Sequence, residues 1–412
     1  MKITIVGGGF TGLSAGLSLS QNHKVTLFEA TGELGGLASA VKLPGTDWYV
    51  EKHYHHWFSN DYFALNLIKK LGLSEKLLFP KTLTSIYYQE TSYPFNSPLQ
   101  ILFFSPLPFT DRLRLGLITL FLKLLSMNSG QNLEKHLAHE WLRKYFGEKV
   151  YEIVWKPLLF GKFGKFAKVV NMAWFWARIK KRTLVLGYLE GGYQTLIDAM
   201  EKQFKKDGGK ILLSTPFDTK KTTDYDKIII TTPSPIFIKM YPQLPKDYKE
   251  RLTNIPHLHA LNLLLVTKEK ILEKEYWLNI NDRTFPFIAV IQQTNLVDAK
   301  HYGGKHLTWV GNYLPEGHPY LKMTKDELLK LYLPYLQKIN PRLNSQFLIL
   351  NSQLFMGPFA QPVFPTNYSK IKPDFITPIP NVYLANMDMV YPWDRGTNYA
   401  IELGQKVASL ID

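Results

Sequence analysis

The chain has 412 residues, enough for two domains or one large composite one, and with 45% hydrophobic residues it can bury a substantial core. It has no cysteine, which excludes disulfides, thiolate metal sites, catalytic thiols and a cofactor tethered through cysteine. A net charge of +15 admits nucleic acid, an anionic membrane surface or anionic ligands as partners, but the basic residues are scattered and no nucleic-acid-binding signature occurs, so nucleic acid is not expected.

The first element is the stretch "MKITIVGGGFTGLSAGLSLSQNHKVTLFEA". Ile3, Ile5 and Val6 predict a short buried strand. Gly7, Gly9 and Gly12 then spell G-x-G-x-x-G, Leu13 to Leu19 have helical spacing, and Val25 to Phe28 predict a second strand that ends at Glu29. A unit of roughly 30 residues with this order matches a βαβ dinucleotide site. Gly7 allows the tight turn, Gly9 lets a pyrophosphate approach the backbone, and Gly12 lets helix and strand pack closely. The helix N-terminus, including Phe10 and Thr11, offers free N–H groups to the phosphates, and Glu29 can accept bonds from ribose hydroxyls. The competing reading is a secretory signal, but no A-x-A-like cleavage site follows and the pattern ends in a strand, so a cytoplasmic chain is expected.

A second glycine turn follows in "EATGELGGLASA", with Gly35, Gly36 and Ala38. Next comes "WYVEKHYHHWF", where strand alternation would put His53 and His55 on one face with Glu51. No His/Asp pair recurs downstream at ligand spacing, so a metal is not expected. Residues 86–185 read as an aromatic, basic, partly helical insert. Within it, "DRLRLGLITLFLKLLSM" predicts either a buried amphipathic helix or one resting in a membrane interface. Lys162, Lys165, Lys168 and Arg178, interleaved with aromatics, form either a mouth for an apolar, anionic substrate or a solvated face over an aromatic core. Gly191-Gly192 open a helix that Gly208-Gly209 close, and "KILLSTPF" and "DYDKIIITTPSP" predict strands. Residues 241–375 alternate strand-like runs with a helix from Lys325 to Lys338, an α+β pattern. Finally the strand Val382–Ala385 leads through a polar turn to a helix opened by Gly396, Thr397 and Asn398. Arg395 directly precedes that helix and can pair with an anionic group or with Asp394.

These motifs together resemble the flavin amine-oxidase superfamily, which includes the protoporphyrinogen oxidase and phytoene desaturase branches. Glu29, Gly35, Gly36 and Ser39 or Ala40 follow its E-x-x-x-x-x-G-G-x-x-x-S/T signature, and Leu384-Ala385-Asn386 with Ala400 to Gly404 resemble its C-terminal strand and helix. The resemblance implies an α/β fold with a Rossmann-type FAD-binding domain (residues 1–85, 186–240 and 376–412) and a discontinuous α+β substrate domain (86–185 and 241–375). It implies non-covalent FAD, held by Gly7, Gly9, Phe10, Thr11, Gly12, Glu29, Ala30, Gly35, Gly36, Leu37, Ala38, Phe217, Thr232, Asn386, Thr397 and Asn398. Asn386 stands where the family usually has an acid, and His53 where D-x-G-x-H-x-F has Gly; His55 falls on that motif's His. His55 and Arg395 are therefore the candidate catalytic residues. The implied reaction is hydride transfer to flavin N5 from a bulky, largely apolar polyprenoid, tetrapyrrole or amine. Two other readings are a non-redox flavoenzyme resembling UDP-galactopyranose mutase and a non-catalytic lipid-binding flavoprotein. Peripheral contact with an anionic membrane is a further expected partner.

Overall fold

In the computed structural model, which describes residues 1–343 and 349–412, two sheets organise the chain. The first has five parallel strands in the order Lys210–Leu212, Lys24–Phe28, Lys2–Val6, Lys227–Ile230, Val382–Leu384. Its central members, KITIV and KIII, are almost wholly buried, Thr4 included, because helices cover both faces and leave neither side to water. Helix Phe10–Leu19 packs on this sheet and against the C-terminal helix Thr397–Ser409. The approach is close: a Cβ on Gly404 would lie 2.3 Å from the Thr11 carbonyl oxygen. Strand "KILLSTPF" is shorter than its composition suggests and ends at Leu212, after which the chain leaves the sheet edge.

The second sheet has seven strands, ordered Ile349–Pro362, His257–Thr267, His306–Pro315, Ala289–Gln292, Trp277–Ile280, Thr84–Tyr88, Thr91–Pro94. All pairs are antiparallel except Trp277–Ile280 with Thr84–Tyr88. The expected insert boundary between residues 85 and 86 falls inside strand Thr84–Tyr88, so the second sheet already begins before it. The insert itself is helical, from Pro98–Leu102 through Phe109–Leu124 to Met172–Lys181.

Segment 52–56 is not a strand. Val50 and Glu51 before it pair with Val41 and Ala40, and Trp57 and Phe58 after it pair with Gly187 and Leu186. The alternation expected for the histidines therefore fails, and each takes different neighbours. Asn262 Nδ2 donates to His53 Nδ1 at 2.6 Å, His55 turns toward Tyr193, and His56 bonds the Tyr276 hydroxyl at 3.1 Å. Glu51 bonds Tyr188 and Tyr193 in a fully buried site rather than any of the three histidines.

Candidate cofactor and substrate site

The parallel sheet gathers the expected cofactor residues at the carboxyl ends of its strands, where open α/β sheets bind ligands. Gly7 leaves the first strand at φ +113°, and Thr231 Oγ1 donates to the Val6 and Gly7 carbonyls at 2.9 and 3.2 Å. Gly9 starts the first helix with no side-chain cap, while Phe10 and Thr11 behind it are buried. A Cβ on Gly9 would meet nothing nearer than Gly36 Cα at 3.9 Å. The result is a buried, uncapped helix N-terminus facing open space, which suits a phosphate group. Gly12 differs, since its Cβ would sit 2.0 Å from the Gly7 carbonyl oxygen.

The second glycine turn closes on the first. Gly35 N–H donates to Gly8 O at 2.9 Å, bringing Gly36, Leu37 and Ala38 beside Gly9. Glu29 accepts from Gly8 N at 2.7 Å and from the Thr31 amide and hydroxyl at 2.8 Å, so its carboxylate is fixed next to the loop; Ala30 beside it is exposed. The Phe217 ring lies 5.3 Å from Phe28, at the end of the same strand. Thr232 Oγ1 is buried with no partner among the described residues. The Asn386 side chain donates to Thr232 O and Ser234 Oγ at 3.1 and 3.0 Å, so it ties two strand ends together. The C-terminal helix again begins without a side-chain cap, at Gly396. Thr397 Oγ1 accepts from Trp57 Nε1 at 2.9 Å, and Asn398 Oδ1 from Ala64 N at 3.1 Å, which leaves their backbone amides as the free groups of that turn. Two uncapped helix starts and an orphan hydroxyl as donors, with a fixed carboxylate as acceptor, gather at the carboxyl ends of one sheet and fit a dinucleotide.

The two catalytic candidates meet at a small neighbouring cleft of about 10 Å³. Leu37 of the glycine turn, Tyr54, His55, Asn262, Tyr313 and Arg395 line it. His55 is half-buried, and burial pushes its pKa down to about 4, so the ring is neutral at physiological pH. Its Nδ1–H donates to the His53 carbonyl at 2.6 Å, which leaves Nε2 as an acceptor. Burial also holds Arg395 down to about 10, still a cation near neutrality. Arg395 Nε donates to Gln361 Oε1 at 3.1 Å, and its guanidinium lies 4.9 Å from the Tyr313 ring centre. The local pairing with Asp394 does not form. Asp394 takes Arg178 and, at 3.6 Å, Lys162, and no carboxylate pairs with Arg395 among the described residues. Lys165 and Lys168 take no part in this cluster.

Asn262, Tyr313 and Gln361 escape the sequence. They sit within long strands of the second sheet, and only strand pairing brings Asn262 and Tyr313 to the cavity and Gln361 to Arg395. No group of three or more His, Asp or Glu among the described residues can hold a metal ion.

Residues 10–412 match the family model described as flavin containing amine oxidoreductase. Coproporphyrinogen III oxidase of Bacillus subtilis is 25% identical over 313 residues, 63% of this chain and 65% of that protein, so the match spans less than two thirds of that relative's length. Among solved structures, putrescine oxidase bound to putrescine is similar at a TM-score of 0.74 and 14% identity, over 100% of this chain and 98% of that one. Reduced UDP-galactopyranose mutase is similar at 0.76 and 15%, over 100% and 95%. The structural likenesses establish the fold, a Rossmann-type FAD-binding part with an α+β part. The match over nearly the whole chain establishes the rest: this chain belongs to the flavin-containing amine oxidoreductase family.

Proposed function

We propose that this chain is an FAD-dependent dehydrogenase acting on a bulky, largely apolar substrate that carries an anionic group. The observation that carries this reading is the cavity joining Leu37 of the second glycine turn to His55 and Arg395. Residues 1–85, 186–240 and 376–412 would hold FAD, through the glycine turns, Glu29, Phe217, Thr232 and the amides around Asn386, Thr397 and Asn398. Residues 86–185 and 241–375 would enclose the substrate. FAD, when bound, supplies the acceptor for a hydride from the substrate.

The protein's own groups then divide the remaining work. Tyr54, Tyr313 and Leu37 give the cavity apolar walls. Arg395, without a carboxylate of its own, receives a carboxylate or phosphate of the substrate. Burial pulls the Lys162 ammonium well below its ordinary range, but Arg178 and Arg395 still outnumber the single Asp394, so this field favours an anion and opposes a cationic amine. Neutral His55 offers Nε2 as a hydrogen-bond or proton acceptor. Of the three substrate classes, a porphyrinogen with carboxylate arms suits these features, and the similarity to coproporphyrinogen III oxidase supports it.

The test is anaerobic mixing of the FAD-loaded protein with a porphyrinogen, a polyprenoid or putrescine. Bleaching of the flavin by the porphyrinogen, and not by putrescine, is expected. His55→Ala should keep FAD and slow bleaching by roughly 10²-fold. Turnover of a sugar nucleotide by pre-reduced protein, with no net oxidation, would replace this reading with mutase chemistry.

A further inference from the structure

A surface helix normally turns its polar side to water. Helix Phe109–Leu124 does not. Leu115 and Leu122 face the core, yet Phe109, Leu117, Leu120, Phe121 and Leu124 are exposed on the other side, Leu117 at 66% and Leu124 at 73%. Their spacing follows the helical repeat, so they form one outward stripe. The short helix Pro98–Leu102 continues it, with Phe103 at its end exposed at 74%. Arg112 fastens the two helices by donating to the Leu107 and Leu102 carbonyls at 2.7 and 2.9 Å. An apolar surface this continuous marks an interaction site rather than scattered surface leucines.

The charges around the stripe say what covers it. Between residues 97 and 132 the basic residues are Arg112, Arg114 and Lys123, against Asp111 alone. At the far end Lys123 Nζ donates to Arg182 O, and Lys180 Nζ donates to the Lys123 and Leu125 carbonyls at 2.8 Å, which adds basic residues to the rim. Two copies of this face would set like charges against each other, on a chain of net charge +15. An anionic bilayer instead accepts the leucines and phenylalanines among its acyl chains and pairs the rim with its headgroups. No helix among the described residues is long and apolar enough to cross a membrane, so the contact is with one surface.

We propose that the face formed by Pro98–Leu102 and Phe109–Leu124 docks the protein on an anionic lipid bilayer. The face also lies one helix from the candidate site. Leu122 O accepts from Trp176 Nε1 at 2.9 Å, and the same helix, Met172–Lys181, carries Arg178 to Asp394 beside Arg395. A substrate leaving the bilayer here has a short path to the cavity. The docking itself does not depend on the reaction assigned above.

The test is co-sedimentation of the FAD-loaded full chain with vesicles of phosphatidylcholine and phosphatidylglycerol in about equal parts. Wild type should bind, and binding should weaken as salt is added. Leu117→Ser/Leu120→Ser/Leu124→Ser should bind at least about tenfold more weakly with unchanged FAD content and melting temperature, since these side chains are exposed. Phe103→Ser alone should give a smaller loss in the same direction. Equal vesicle binding by wild type and the triple variant, or none by wild type, overturns the proposal. So does a wild-type dimer in light scattering that the triple variant dissociates, which would assign the face to a second copy.

Discussion

Glu51 is buried with no cation paired to it among the described residues. The Tyr188 hydroxyl donates to its carboxylate at 2.9 and 2.8 Å, and the Tyr193 amide donates at 2.8 Å. Desolvation outweighs these bonds and lifts the pKa from 4.5 to about 7. Below pH 4.5 the proton is bound whether the chain is folded or unfolded. As pH rises from there the unfolded chain releases it first, so stability falls until the folded pKa, about 7, is passed. The loss at high pH is of order 3 kcal/mol, since each tenfold difference in proton affinity is worth about 1.4 kcal/mol. Glu51→Gln removes it. The melting temperature of Glu51→Gln relative to wild type should therefore rise between about pH 5 and about pH 8, and thermal scans at both values check this. A flat difference would mean that Glu51 stays ionised in the fold. The sequence shows Glu51 and three histidines in one short motif, and nothing in it says that the carboxylate parts from them.

At the scale of elements, the glycine turns were legible because each glycine has a steric reason. Gly7 needs a positive φ, and Gly12 touches the backbone of the strand it follows. Gly9 has neither constraint, for a Cβ there meets nothing nearer than Gly36 Cα, in ordinary contact at 3.9 Å. This separates two effects that mutation usually mixes. Gly9→Val should fold, with a circular dichroism spectrum and melting behaviour close to those of the FAD-free wild type, but should come out colourless because it fills the place of the pyrophosphate. Gly12→Ala should instead lose stability, by roughly 1–3 kcal/mol or more, because its methyl group strikes the Gly7 carbonyl. FAD absorbance and thermal scans on both variants decide it. Gly9→Val carrying full FAD would move the phosphate elsewhere. The insert was less legible. Its long apolar run reads equally as a core helix or an interfacial one, and which face is buried depends on what packs against it.

For the whole molecule, the cofactor is also a structural part. The parallel sheet draws strands from residues 2–28, 210–230 and 382–384, and the proposed dinucleotide site lies where their ends meet. Binding there stabilises the folded chain by about 2.7 kcal/mol at a free ligand concentration of 100 times Kd. Removing FAD should lower the melting temperature by a few degrees, and adding it back should restore the loss, as differential scanning fluorimetry would show. No shift on adding FAD would mean that these three stretches do not share a ligand. The sequence by itself determined the glycine-rich strand ends proposed to hold the nucleotide, since G-x-G-x-x-G, the second glycine pair and the glycine-opened C-terminal helix each follow from local backbone geometry. Only the tertiary structure decided what surrounds the reaction. Arg395 is freed of Asp394 because Arg178 and Lys162, more than 200 residues earlier in the chain, claim it. His55 meets Asn262 and Tyr313 in one cavity only because two long strands pair beside it. Local patterns encode φ, ψ and capping; burial and charge pairing arise between distant residues, and no short stretch of sequence carries them.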